Sequence, residues 1–467
     1  MARFHAERWL DRTLTKGFFC APSMPFLNFR ASLRRDAGGA LRGGPRDRGL
    51  HVGGGAVEQA GGPHGRNAKM PSAPSAAVSH IDPFCDEFLA DPYPFHEALR
   101  EAGPVVWLER YGIYASARHA EVQAALTDWQ TFSSAAGVGI DDFRRSKPWR
   151  PASLILEADP PLHTRSRTVL NRALSAKAMA GLRAGFKDAA ERLADGLAGR
   201  RRVDAIAEIA EAYPLSVFPR AVGLGPEGLE NLLPYGTMVF NAFGPRNAHF
   251  EASMARAAEV VGWINAQCAR ENLSPDGLGA TIWAAVDSGE VSAQEAPLLV
   301  RSLLSAGLDT TIIGIGNGLY ALAANPSQYQ ALRENPSLVR SAFDEILRWE
   351  APIQTFFRTT TVPVELGGIS LPADAKILLF LAAANRDPRR WEQPERFDVS
   401  RRASGHVAFG AGIHMCVGQM LARLESEMVL AALLARFARI EFAGEPKRKL
   451  NNSLRQFASL PVELTPT

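Results

Sequence analysis

Phe409-Gly410-Ala411-Gly412-Ile413-His414-Met415-Cys416-Val417-Gly418 holds one cysteine between glycine-bearing turns, directly before a long helical pattern. Glycine enters left-handed backbone conformations without steric cost, so Gly410 and Gly412 let the chain turn tightly. Backbone N–H groups in such turns can be aimed at a single sulfur, which suits a thiolate held as a metal ligand. Phe409 would shield that sulfur from water, and Gly418 would leave room for close approach by a bound group. A lone cysteine in a glycine-rich turn is otherwise an ordinary buried residue.

The pattern F-G-x-G-x-H-x-C-x-G resembles the signature of the cytochrome P450 family. The resemblance implies haem b with its iron ligated by Cys416, whose thiolate pushes electron density toward bound oxygen and favours O–O cleavage. It also implies one mainly α catalytic domain with small β-sheets. The haem would lie between an oxygen-groove helix and the helix that follows Cys416. From Asp82 the resemblance runs nearly to the end of the chain.

The 467 residues are 46% hydrophobic and 22% charged, an ordinary globular composition. Length alone would allow two or three domains; the resemblance makes residues 78–467 a single catalytic domain. Residues 1–77 are rich in Gly, Arg, Pro and Ala and lack periodic apolar positions, so disorder is expected there. The Arg-rich start resembles a transit peptide, yet an over-extended start, with Met70 or Met24 as the true beginning, is the favoured reading. Over residues 1–80, twelve Lys and Arg stand against five Asp and Glu, so this end carries +7 and the rest −4 of the net +3. The basic balance belongs to the tail and does not support nucleic-acid binding by the folded part. Cys20, Cys85, Cys268 and Cys416 are far apart, which argues for a reducing compartment and against disulfides or a cysteine-built zinc site. No apolar run is read as approaching the roughly 18 residues of a membrane anchor. The soluble bacterial type, cytoplasmic and monomeric, is expected.

Helical patterns are read at 92–102, 118–127, 178–197, 213–222, 229–243, 248–271, 293–324, 337–349 and 416–437, with a basic helix opened by Asp159-Pro160-Pro161. Short strands are read at 105–108 and 111–115, a loop at 136–153, and turns with short strands at 358–371. In the longest pattern lies Leu304-Ser305-Ala306-Gly307-Leu308-Asp309-Thr310-Thr311. Gly307 costs a helix about 1 kcal/mol relative to Ala, and a threonine hydroxyl competes for backbone bonds. An ordinary kink would explain both. The resemblance adds a reason: an oxygen groove at Gly307, with the Asp309 carboxylate and Thr310 hydroxyl delivering protons.

Glu345 and Arg348 are neighbours on one helical face. They match the family's E-x-x-R motif, a buried pair that organises the segment before the cysteine, with Arg396 as its third member. These three are structural. The resemblance places His163, Arg167, Arg358 and His414 around the two haem propionates.

For the substrate, Arg301, Ser302 and Ser305 lie on the oxygen-groove helix, and Arg150 and Ser153 in a loop that covers the haem in this family. Phe240, Phe243 and Phe356 fall in the pocket's other walls. Two arginines and three serines with aromatic walls suit a small aromatic acid. Their positions resemble those of bacterial P450s that oxidise para-substituted benzoates, including 4-methoxybenzoate, by O-demethylation or hydroxylation. The competing reading leaves Arg150 and Arg301 solvated or paired with local acids. No flavin or nicotinamide fingerprint is present, so electrons would come from a [2Fe–2S] ferredoxin and an NADH-dependent ferredoxin reductase. The rivals are a monooxygenase of an apolar substrate such as a terpenoid, a peroxide-using peroxygenase, and a non-catalytic haem sensor.

Overall fold

The structure, a computed structural model, describes residues 75–467. Residues 1–74 of the expected extension lie outside it. The described region is mainly α, with sheets of six, three, two and two strands.

The helices form where the apolar spacing and the stop signals agree. Ser175 accepts the Ala178 N–H at 3.4 Å and so caps Ala176–Leu197, supplying an acceptor that the helix start lacks. Two expected helices are each divided. The pattern at 229–243 becomes a turn at Leu229–Asn231 and a helix at Leu232–Asn241, and that at 248–271 becomes Ala248–Met254 and Ala257–Gln267. Among the described residues four α-helices were not anticipated, Asp86–Ala90, Leu278–Asp287, Pro326–Glu334 and Leu381–Ala384. Asn325-Pro326 ends the pattern read at 293–324 and also opens the next helix. Proline also suits a first helical turn, because the N–H it lacks would have no partner there.

The longest pattern is broken as well. Helices Ala296–Ala306 and Asp309–Ala324 are separated at Gly307-Leu308. Contrary to the sequence reading, Ala296–Ala324 is long and apolar enough to cross a membrane by composition. It is mostly buried against the rest of the protein and broken at Gly307-Leu308, so it is a core element.

The six-stranded sheet runs in the order Ala77–Ser79, Val106–Leu108, Ile113–Ser116, Lys376–Phe380, Thr355–Thr360, Phe132–Ser133. Strand Thr355–Thr360 is antiparallel to Lys376–Phe380, pairing Phe356 with Leu379 and Arg358 with Ile377. Side chains alternate across a strand. Phe357 therefore enters a core shared with Leu378 and Phe380, while Phe356 and Arg358 share the opposite face and line the main cavity. The helix Gln419–Arg436 packs on Ala176–Leu197 and on Val339–Trp349, which fixes the end that leads out of the cysteine loop.

Candidate active site

The cysteine loop has the geometry its glycines imply. Gly410 and Gly412 have φ of +71° and +66°, and a Cβ on Gly412 would come within 2.9 Å of Leu126 O. The Cys416 N–H donates to Phe409 O at 2.8 Å. Burial raises the Cys416 thiol above its ordinary pKa, opposed by backbone N–H groups of Gly418 and Gln419 directed at the sulfur. Those amides belong to the start of the helix Gln419–Arg436, where partial positive charge favours a thiolate. A Cβ on Gly418 would sit 3.9 Å from Sγ. Phe409 lines the same cavity as the sulfur, with the Arg423 guanidinium 4.6 Å from its ring centre.

That cavity brings Cys416 together with Arg167, Arg358 and His414 on one side and with Thr310 on another. His163 does not line it. It stands behind, its ring 4.5 Å from that of His414. Among the described residues neither buried Nε2 atom has a hydrogen-bond partner; His414 Nε2 is 3.7 Å from Asp159 Oδ1, beyond bonding length. Asp159 is itself held by Ser133 Oγ at 2.5 Å. Arg358 is buried, and its side-chain hydrogen bond among the described residues goes to Phe357 O at 2.8 Å. Burial pushes its pKa down to about 10, partly offset by Asp159. Arg167 donates to Met415 O at 2.5 Å and Ile413 O at 3.3 Å, tying its helix to the cysteine loop. Buried imidazole nitrogens without partners, and a buried guanidinium served by one neighbouring carbonyl, are costly. Two propionates would supply those acceptors, so the residues present fit haem b.

The break in the long helix has a local cause. Thr310 Oγ1 donates to Ala306 O at 2.8 Å, and Thr311 Oγ1 donates to Gly307 O at 3.1 Å. Hydroxyls thus occupy carbonyls that helical amides normally use, and such substitutions bend helices. Gly307 is required by packing: a Cβ there would lie 2.6 Å from the Phe218 ring. Thr310 lines the cavity, while Asp309 does not. The Asp309 carboxyl is buried, and burial raises its pKa to about 8.

The substrate residues divide. Ser153, Phe240, Phe243, Ser302, Ser305 and Phe356 line the cavity, as does Arg150. Ser153 Oγ and Ser302 Oγ are 3.2 Å apart. Phe243 contacts Phe240 and Phe356, each at 5.6 Å between ring centres. Arg150 is not a free cation: it makes a bidentate pair with Glu157, at 3.0 and 3.1 Å. Arg301 does not line the cavity. It is buried, and it donates to Pro151 O at 2.7 Å, fastening the covering loop to the helix. Glu157, seven residues from Arg150 in an irregular loop, escaped the sequence reading because no periodicity links them.

The E-x-x-R pair is fully buried, with Arg348 Nε to Glu345 Oε2 at 2.7 Å and Nη2 to Oε1 at 2.9 Å. Arg348 also donates to Asn385 O, Pro394 O and Arg396 O. The third member is Arg401, at 3.2 Å from Glu345 Oε1. Arg396 lends only its carbonyl to the cluster; its side chain is 59% exposed, with the guanidinium 3.4 Å from Asp398. The segment is irregular, so residue spacing carries no information about which arginine turns inward.

Comparison with known proteins agrees with this geometry. The cytochrome P450 family model matches residues 274–465. The cytochrome P450 CYP199A2 of Rhodopseudomonas palustris is 56% identical over 85% of this chain and 97% of its own. The vitamin D(3) 25-hydroxylase of Pseudonocardia autotrophica is 30% identical over 82% of this chain and 96% of its own. Among solved structures, the cytochrome P450 CYP109Q5 of Chondromyces apiculatus superposes with a TM-score of 0.71 at 32% identity, over 84% of this chain and 99% of that one. With this identity running over nearly the whole length of its relatives, the chain belongs to the cytochrome P450 family and is a monooxygenase using haem b ligated through a cysteine thiolate.

Proposed function

We propose that the substrate is a small aromatic carboxylic acid, a para-substituted benzoate that the enzyme hydroxylates or O-demethylates. One observation carries this reading: Arg150 and Arg301 are both buried beside the cavity, and Glu157 balances only one of them. Among the described residues no carboxylate pairs with Arg301. A buried charge persists when it is compensated, and a substrate carboxylate held by the Ser153 and Ser302 hydroxyls would bring the missing negative charge. The three phenylalanines suit a flat ring.

Haem b, when bound, supplies oxygen binding and the C–H oxidation itself. The chain's own residues do the rest. Phe240, Phe243 and Phe356 orient the ring, while Ser153 and Ser302 fix the acid end. Asp309 holds a proton near neutral pH, and Thr310 presents its hydroxyl to the cavity. Overall, substrate, O2, two electrons and two protons give hydroxylated product and water. Hydroxylation of a methoxy group gives a hemiacetal, which separates into formaldehyde and a phenol. A [2Fe–2S] ferredoxin and an NADH-dependent reductase would deliver the electrons.

Turnover of 4-methoxybenzoate with NADH, ferredoxin and reductase tests this. Formaldehyde and 4-hydroxybenzoate in equal amounts are expected; turnover of terpenoids but not of benzoates would overturn the acid reading. In the same assay Thr310→Ala lowers product per NADH by about threefold or more, with peroxide as the balance, while substrate binding is retained. An unchanged ratio would contradict the role given to Thr310.

A further inference from the structure

Among the described residues the Asp309 carboxyl has no ion-pair partner. It rests against the bare backbone of Gly236, in the helix Leu232–Asn241. A Cβ built on Gly236 would lie 2.1 Å from Asp309 Oδ2, 2.4 Å from Cγ and 2.7 Å from Oδ1. Gly236 is buried inside a helix, where glycine costs about 1 kcal/mol relative to alanine. That helix, Leu-Leu-Pro-Tyr-Gly-Thr-Met-Val-Phe-Asn, offers Asp309 no Lys or Arg. One turn further on, its Phe240 forms part of the substrate wall. The same helix therefore backs the acid and shapes the pocket.

We infer that Gly236 is the positioning residue for Asp309: the absent side chain creates the apolar niche that holds this carboxyl as a neutral proton donor. The inference rests on the reading of Asp309 as part of proton delivery. The charged groups acting on the carboxyl are Lys449, from the strand Lys447–Lys449, which lowers its pKa, and Glu211, which raises it; both are outweighed by burial. Tyr235 is the titratable neighbour of Gly236 on its own helix, and it faces Arg150 and Arg301. A carboxyl pKa raised to about 8 keeps the proton bound below that pH and releases it above. A Cβ at position 236 would overlap the carboxyl, so the acid must leave this place, and a gain of solvent at its new place lowers the pKa.

The haem-loaded enzyme is compared as wild type, Gly236→Ala, Asp309→Asn, the double variant and Asp309→Glu. Gly262→Ala is the control, since nothing lies within 4 Å of the Cβ it would add. Gly236→Ala is expected to keep the spin shift with 4-methoxybenzoate and lower product per NADH by about threefold or more. Adding it to Asp309→Asn should cause no further loss, because the two act through one group. The independent readout is the infrared C=O stretch of the protonated carboxyl that disappears in Asp309→Asn. It should titrate near pH 8 in wild type and the control, and about one unit or more lower in Gly236→Ala. Asp309→Glu, too long for the niche, should show the same loss of coupling in an unaltered helix, and it serves if Gly236→Ala fails to fold. If Asp309→Asn loses coupling while Gly236→Ala or Asp309→Glu keeps both coupling and band position, the niche is overturned and the role of Asp309 stands. If Asp309→Asn itself retains full coupling, the proton-delivery reading fails, and this inference with it.

Discussion

A Cys416→His variant is expected to make no product from any substrate and to lose the thiolate-type Soret band of the reduced, carbon-monoxide-bound enzyme. The sulfur is the group that the whole loop addresses: two left-handed glycines turn the chain, and the Gly418 and Gln419 amides point at Sγ. An imidazole is a neutral ligand and cannot donate electron density as a thiolate does. On the proposal that the cavity-lining Arg167, Arg358 and His414 hold the propionates, the variant still binds haem through them. Haem content by the pyridine method, the carbon-monoxide difference spectrum and turnover separate these effects. Retained monooxygenation in Cys416→His would refute the ligand assignment.

The second large effect is structural. Arg348→Ala removes both bonds to Glu345 and the donors to Asn385 O, Pro394 O and Arg396 O. It leaves the Glu345 carboxylate in a site with no solvent exposure. Removing one partner of a buried ion pair costs about 3–5 kcal/mol, a large part of the stability of an ordinary domain. Loss of haem and of cooperative thermal unfolding is expected. Arg401→Ala should lower the melting temperature measurably, because Arg401 also reaches Glu345 and the carbonyls of Glu392 and Gln393. Arg396→Ala, at an exposed pair with Asp398, should change stability by less than about 1 kcal/mol. Melting curves of the three variants check the assignment; the order Arg396 above Arg401 would restore the sequence expectation.

The features read correctly from the sequence are those that local rules determine. The cysteine loop was legible because positive-φ glycines and a ligand must occur in a set order. Helix positions were legible where apolar spacing persisted, and the E-x-x-R pair because three residues span nearly one helical turn. What escaped depends on tertiary approach. Nothing local distinguishes Arg401 from Arg396, five residues apart in an irregular segment, and only the fold turns one inward. Glu157 neutralises Arg150 through a loop whose path no periodicity describes. Gly236 looks like a defect in a helix until Asp309 is brought against it. The break at Gly307 had a visible composition, but the two threonine hydroxyls that produce it act on carbonyls four residues back, a choice that the sequence leaves open between capping and kinking.

The central claim is that one uncompensated buried arginine and a pair of serine hydroxyls make this cavity a receptor for a flat carboxylate. The direct measurement is a titration of the ferric enzyme with 4-methoxybenzoate and with 4-methoxybenzamide, following the low-to-high-spin shift that occurs when substrate displaces water from the iron. The two ligands match in shape and differ in charge. A hydrogen bond to a charged group contributes about 1.5–3 kcal/mol, so the acid should bind roughly tenfold to a hundredfold more tightly than the amide. Arg150→Ala should weaken the acid more than the amide, because it removes a positive charge and leaves Glu157 unpaired beside the carboxylate. Equal affinity for acid and amide, or an equal loss for both in Arg150→Ala, would contradict the account.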